Sequence, residues 1–530
     1  MLLRSTTTLA TLSIAVCTWF GEPFAERPAR ADIFTTSEQC AVCHSVSPGA
    51  NAMRTRTGDD VSPYGLWQGT MMANAFRDPY FRAQMRKETT AAGEEVQELC
   101  LRCHAPMASH GAVIDGGKPP RLADVDGDLY ADDGVSCTVC HQITDRNLGE
   151  PSSFSGHPTF GTERKIFGPF ADVTTGPMQA QVRYTPTQGM QIRKAALCAT
   201  CHTLVTEHRG VQFAEQTPYL EWRNSEFSDE NGRGETSRTC QQCHMAETGA
   251  TRIARNPMGF DFNVPVRDGY AAHAFVGGNA FMLDLIDRHR EELDVIAESK
   301  AFDRMAAATR RQLGEATARL SISAIDKQDG VATFTVQVEN LTGHKFPTGY
   351  PARRAWLHVQ VLAGRQVVFE TGAVNENGKL IGVADEHALP HVRTVEKPEH
   401  VVVYEMVALD PDGAPTTYLT KMTKRGKDNR LLPRGWKTDG PHIADTGAVG
   451  TEGDADFTGG GDTVAFRVPV PQRTRGRLQV VAHLYYQSVP PLWVDALRGI
   501  AGEECARFVA MYDKADKTPE TVAVAVRGER

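Results

Sequence analysis

Residues 137–141 read Cys-Thr-Val-Cys-His, "CTVCH". Two cysteines with two residues between them suit a disulfide, a zinc knuckle or a redox dithiol. None of these needs a histidine immediately behind the second cysteine. The same arrangement recurs as "CAVCH" at Cys40/Cys43/His44 and "CLRCH" at Cys100/Cys103/His104. It recurs again as "CATCH" at Cys198/Cys201/His202 and "CQQCH" at Cys240/Cys243/His244. Of the 12 cysteines in the 530 residues, only Cys17 and Cys505 stand outside the pattern.

Five copies with one fixed offset point to covalent attachment of c-type haem, five haems c in all. The two thiols add across two vinyl groups and the adjoining imidazole reaches the iron from one face. Zinc knuckles do not require histidine at the same place each time. A thioredoxin-like dithiol occurs once, beside a βαβ unit. Two-residue loops are also poor disulfide staples. Motif starts at 40, 100, 137, 198 and 240 are unevenly spaced, which argues against a simple tandem repeat. So little chain per macrocycle implies that the haems form much of the core, joined by short helices and long Gly-, Pro- and Asp-rich loops.

Working outward, residues 1–31 read as a secretory signal. Arg4 gives the positive start, Leu9 to Phe20 an apolar run, and Ala29-Arg30-Ala31 a small-x-small cleavage site. Export implies the periplasm or the cell surface, and the mature chain has no other stretch of membrane length. Residues 32–278 form the pentahaem region. Residues 279–318 have helical periodicity, with Phe281, Leu285, His289, Leu293 and Ile296 on one stripe, and serve as a helical linker. From 319 to 530 the period becomes two. Asp329-Gly330 and Asn377-Gly378 mark turns, and at least seven short strands predict an antiparallel β-sandwich. Thr423 to Asp462 reads as a long loop excursion. The fold class is α+β and multidomain. A formal charge of −8 with no basic stripe gives no support to a nucleic-acid partner and favours a basic redox protein partner.

The motif surroundings carry a resemblance. "LWQGTMMANAFRDPYF", "DGVSCTVCHQI", "LCATCHTLVTEH", "EWRNSEF" with "TCQQCHM", and "HAFVGGN" resemble multihaem c-type cytochromes of the cytochrome c-554/c-552 kind. "NLTGHKFPTGYPARRAWLHV" and "KDNRLLPRGW" are similar to a β-rich module that follows the haems in some of them. The resemblance implies electron transfer. It also keeps open a substrate-converting oxidoreductase, because related multihaem proteins oxidise or reduce small nitrogen or sulfur compounds.

The second axial position of each iron separates the two readings. A second histidine gives a closed carrier, methionine raises the potential, and an open position admits a ligand. Five histidines lie outside the motifs in the first 290 residues: His110, His157, His208, His273 and His289. Their number fits an all bis-histidine protein. His273 and His157 sit in Gly/Pro-rich loops. His208 and His110 each follow a motif histidine by six residues and so would serve a neighbouring haem. Met71, Met72, Met107 and Met245 are the methionine alternatives. Tyr64, Tyr130, Arg102 and His110 are the acid–base candidates for an enzyme. In the β region, His344, His387, His391 and His442 are read as capping or surface histidines rather than a metal cluster. "TGHKFPTG" is expected as a tight loop against a haem edge, with Lys345, Arg353 and Arg354 near propionates. A non-redox binding module in the β region is a third reading.

Overall fold

The computed structural model describes residues 33–472 and 474–529. The signal-peptide reading falls on residues outside these. No helix among the described residues is long and apolar enough to cross a membrane. The first half is short helices and loops, and the second is built around two β-sheets.

The longest helix of the first half, Pro79–Ala92, is written into its flanks. Proline opens its first turn, and the Asp78 carboxylate accepts from the Tyr80 and Phe81 amides. Gly93, at φ +90°, ends it with a conformation that costs other residues strain. Each cysteine motif also lies on a helical turn: Ser37–His44, Val96–His104, Cys137–Cys140, Ala195–His202 and Cys240–His244. Residues three apart on a helix share a face, so both thiols of each motif point the same way.

Two helices follow, Ala280–Arg288 and Ser299–Ala316. The first buries Met282, Leu283, Leu285 and Ile286. The chain leaves the helix at His289, so Leu293 and Ile296 do not continue its stripe, and Ile296 is 72% exposed. Polar Asp294 at φ +52° makes the bend between the helices.

The sandwich has one sheet ordered Asp326–Gln328, Val331–Asn340, Gly461–Pro469, Thr394–Val395, with Ala318–Ile322 also paired to Val331–Asn340. The other runs Gln366–Thr371, Arg354–Ala363, Leu478–Gln487, Glu520–Gly528, with Val403–Tyr404 on Arg354–Ala363. Pairing is antiparallel except at Thr394–Val395. Asp329 and Gly330, both at positive φ, form the tight turn that the Asp-Gly pair predicts. Alternating burial along Val331–Asn340 sends Ala332, Phe334, Val336 and Val338 into a core shared with Leu357, Val359, Val464 and Val480.

The stretch expected as a long loop, 423–462, contains the strand Lys424–Asp428 and a buried run through Asp428, Asn429, Arg430, Leu431 and Leu432. Its polar composition conceals burial because the charges neutralise each other. Lys345 Nζ lies 2.6 Å from Asp428 Oδ2 with both side chains wholly buried, and Arg430 Nε lies 2.8 Å from Asp428 Oδ1.

A second core joins distant parts of the chain. Tyr80 and Ala83 pack with Met282, Leu283, Leu285 and Phe302, and with Val494, Phe508, Met511 and Tyr512. Cys505, on the helix Glu503–Lys514, donates its thiol to the Ala83 carbonyl at 3.3 Å.

Leu357 is wholly buried between the sheets. Leu357→Ala is expected to lower stability by roughly 2–5 kcal/mol, read as a shift in the denaturant midpoint of the sandwich transition.

Candidate functional site

All ten motif cysteines and all five motif histidines line one continuous cavity of about 1900 Å³. Pockets for single small molecules run roughly 300–1,000 Å³, so the space suits several large groups. None of the ten cysteines is in a disulfide. Much of the wall is apolar, with Trp67, Phe81, Leu99, Ile143, Leu197 and Trp222 among the lining side chains.

The motifs are neighbours in a definite order. Cys40 interacts with Cys137, Cys103 with Cys201, and Cys198 with Cys240. Cys140 also feels Cys201. The first motif therefore borders the third, and the fourth borders the second, third and fifth. Burial pushes the Cys100 and Cys140 thiols up to about 12. Such thiols are not primed as a redox dithiol, which needs a lowered pKa.

The motif histidines are set for metal binding through Nε2. Nδ1–H donates to a backbone carbonyl in four of them: His44 to Ile253 at 2.8 Å, His104 to Ala75 at 3.1 Å, His141 to Phe167 at 2.7 Å, and His244 to Val276. A carbonyl on Nδ1 fixes the ring and leaves the Nε2 lone pair free. Burial lowers the pKa of all five, to about 4 for His104 and His202, so the imidazoles are neutral as ligation requires.

Two pairs of rings face each other. His141 and His273 have ring centres 6.1 Å apart and planes inclined by 17°. His244 and His344 stand at 6.2 Å and 14°. Two imidazole nitrogens each roughly 2 Å from one metal place their ring centres roughly 6 Å apart. Both His273 and His344 line the cavity, and burial holds both neutral. His344 lies in the loop that the sequence suggests as a haem-edge contact. Like His273, His344 sits in a Gly/Pro-rich loop, between Gly343 and the "FPTG" turn.

The other distal candidates lie off the cavity lining. His110 uses Nε2–H to reach the Arg102 carbonyl at 3.2 Å. His157 is exposed, with Nδ1–H donating to Phe154 O and Nε2 accepting from Arg102 Nη1, each at 2.8 Å. His208 ends the strand Leu204–His208. His289 pairs through Nδ1 with Glu292 at 3.1 Å. Met71, Met72 and Met245 line the cavity, whereas Met107 packs with Ile33, Phe34 and Val139. Tyr64 lines the cavity, and Tyr130 packs against the cluster around Phe76 and Leu101.

Of the three cations expected near propionates, Arg353 lines the cavity. Lys345 is held by Asp428, and Arg354 by Glu386 and Gln487. His391 pairs with Asp454 at 2.8 Å and His442 accepts from Arg223, so these β-region histidines have separate partners.

An acidic group that sequence reasoning did not single out borders the second motif. Glu215 is buried on the cavity wall and its Oε2 has no hydrogen-bond partner. Burial foremost, with Glu88 nearby, raises it from 4.5 to about 8. Phe81 stacks on His104, centres 3.7 Å apart.

Residues 39–142 match the family model for cytochrome c554 and c-prime. No curated protein matches the chain. The crystal structure of a penta-haem cytochrome c552 from Thermochromatium tepidum has a similar fold, with TM-score 0.54 and 17% identity over 94% of this chain and 100% of that one. The family match spans the segment that holds the first three motifs, and the likeness to the penta-haem structure is one of fold.

The unfolded chain releases the Glu215 proton near pH 4.5, but the folded chain holds it to about 8. The raised value therefore makes stability fall as pH climbs through that window. Glu215→Gln is expected to flatten this decline, measured by thermal unfolding across pH 4–9.

Proposed function

We propose that the chain is an exported electron carrier holding five haems c. Cys40/Cys43, Cys100/Cys103, Cys137/Cys140, Cys198/Cys201 and Cys240/Cys243 tether them, and His44, His104, His141, His202 and His244 bind iron. The bound haems supply one-electron oxidation and reduction. The single observation behind this reading is the convergence of ten thiols and five neutral imidazoles on one largely apolar space. Carbonyls on Nδ1 hold the rings in orientation, and Trp67, Phe81 and Trp222 exclude water. The thiol contacts lay out a branched route, with the fourth motif as the junction between the second, third and fifth. His273 is the distal ligand opposite His141. Residues 1–31 are the export signal, 32–278 the haem region, 279–318 the helical link and 319–530 the sandwich. The net charge of −8 favours a basic redox partner at low salt.

A second reading, chemistry at an open haem, is favoured by the second motif. Among the described residues no histidine ring is paired with His44, His104 or His202 as His273 is with His141, and of these three motifs the second has a buried carboxyl, Glu215, beside it. Glu215, on the cavity wall beside the second motif, would be available to handle protons there.

A pyridine haemochrome assay is expected to return five haems per chain, and fewer would sink the proposal. Electron paramagnetic resonance distinguishes the two functions: low-spin ferric signals alone mark a carrier, and a high-spin signal with carbon monoxide binding marks the open haem. His273→Ala is expected to add one high-spin haem to the wild-type spectrum; an unchanged spectrum rules out that ligand.

A further inference from the structure

We infer that His344, carried by the β-rich half, is the distal iron ligand at the fifth motif, and that Glu221 positions it. The inference rests on the reading of five attached haems. It extends that reading to a residue one hundred positions beyond His244 in sequence.

Three observations converge on His344. Its ring faces His244 with nearly the separation and tilt that relate His273 to His141. It lines the same cavity. Its Nδ1–H donates to the Lys345 carbonyl at 2.8 Å, which leaves Nε2 as the free nitrogen, as in the motif histidines.

The loop carrying His344 is fixed on both sides. Asn340, wholly buried at the end of its strand, donates Nδ2–H to the His344 carbonyl at 2.9 Å and to the Leu431 and Leu432 carbonyls. Glu221, on the helix Pro218–Arg223 shortly before the fifth motif, crosses from the first half. Its Oε2 accepts from the Lys345 amide at 3.0 Å and from Thr348 Oγ1 at 2.5 Å. Arg430 lies 3.5 Å from Glu221 Oε1 and bonds Asp428, which in turn pairs with Lys345. Buried charge networks of this kind add little stability relative to apolar packing, so their use here is to set geometry. Outer-shell support of that sort is what a ligating histidine requires.

The test uses the full-length, haem-loaded protein. His344→Ala is expected to keep the wild-type haem count by pyridine haemochrome. It should also convert one haem to a high-spin form that binds carbon monoxide and returns to low spin with added imidazole. A spectrum identical to wild type, with no additional carbon monoxide uptake, overturns the assignment. Should the alanine variant fail to fold, His344→Met decides. A thioether ligand keeps that haem low-spin and raises one reduction potential, whereas an unaltered set of potentials overturns the assignment. Glu221→Gln is expected to give partial carbon monoxide binding at the same haem with the haem count intact. Carbon monoxide behaviour like that of wild type removes Glu221 from the positioning role. A wild-type protein without attached haem would instead refute the proposed function.

Discussion

Convergence of five helical turns on one apolar space governs this molecule. Protein interiors are close-packed, and apolar cavities are destabilising by roughly 24 cal/mol for each Å³. An apolar wall around a space of about 1900 Å³ suits large apolar groups as part of the core. The buried, neutral imidazoles on the same walls add candidate metal ligands to that space. Around that space the short helices keep small side-chain clusters of their own, one about Phe76, Met85 and Leu101 and another about Phe154, Tyr219 and Trp222.

The β-rich half is more than an appended surface. Glu221 reaches from the first half to the loop at Lys345 and Thr348, and Arg86 bonds Glu504 at 2.9 Å through two nitrogens. Lys87, wholly buried, donates to Thr417 and lies over the Tyr418 ring. Glu88 accepts from the Leu419 and Thr420 amides. Charged groups buried on one half are satisfied by backbone of the other. Separating the halves would leave them unpaired, a larger loss than the pairs gain in water.

What was legible in the sequence was local. The spacing of Cys-x-x-Cys-His is a covalent requirement and survives any fold. Asp329-Gly330 announces its turn because few other residue pairs accept two positive φ values. The strands around Phe334 and Leu357 show their period directly. What was not legible depends on partners far along the chain. His273, His344 and His157 share a glycine-flanked loop setting in sequence, but only His273 and His344 line the cavity opposite motif histidines, whereas His157 is exposed with its Nε2 taken by Arg102. The run 427–432 looks solvated because Lys427, Asp428 and Arg430 are charged, yet their counter-ions come from residues 405, 345 and 221. The stripe continued to Ile296 fails because periodicity does not register where a helix stops.

The thiol of Cys505 against the carbonyl of Ala83 marks where the end of the chain completes a wall begun near its start. The helix Glu503–Lys514 covers Tyr80 and Ala83, on the helix that precedes the second motif. A nascent chain therefore has its first motifs long before it has the surface that closes over them. The stretch before the second motif and the helix Glu503–Lys514 thus form one packing unit, and loosening either would open the same wall.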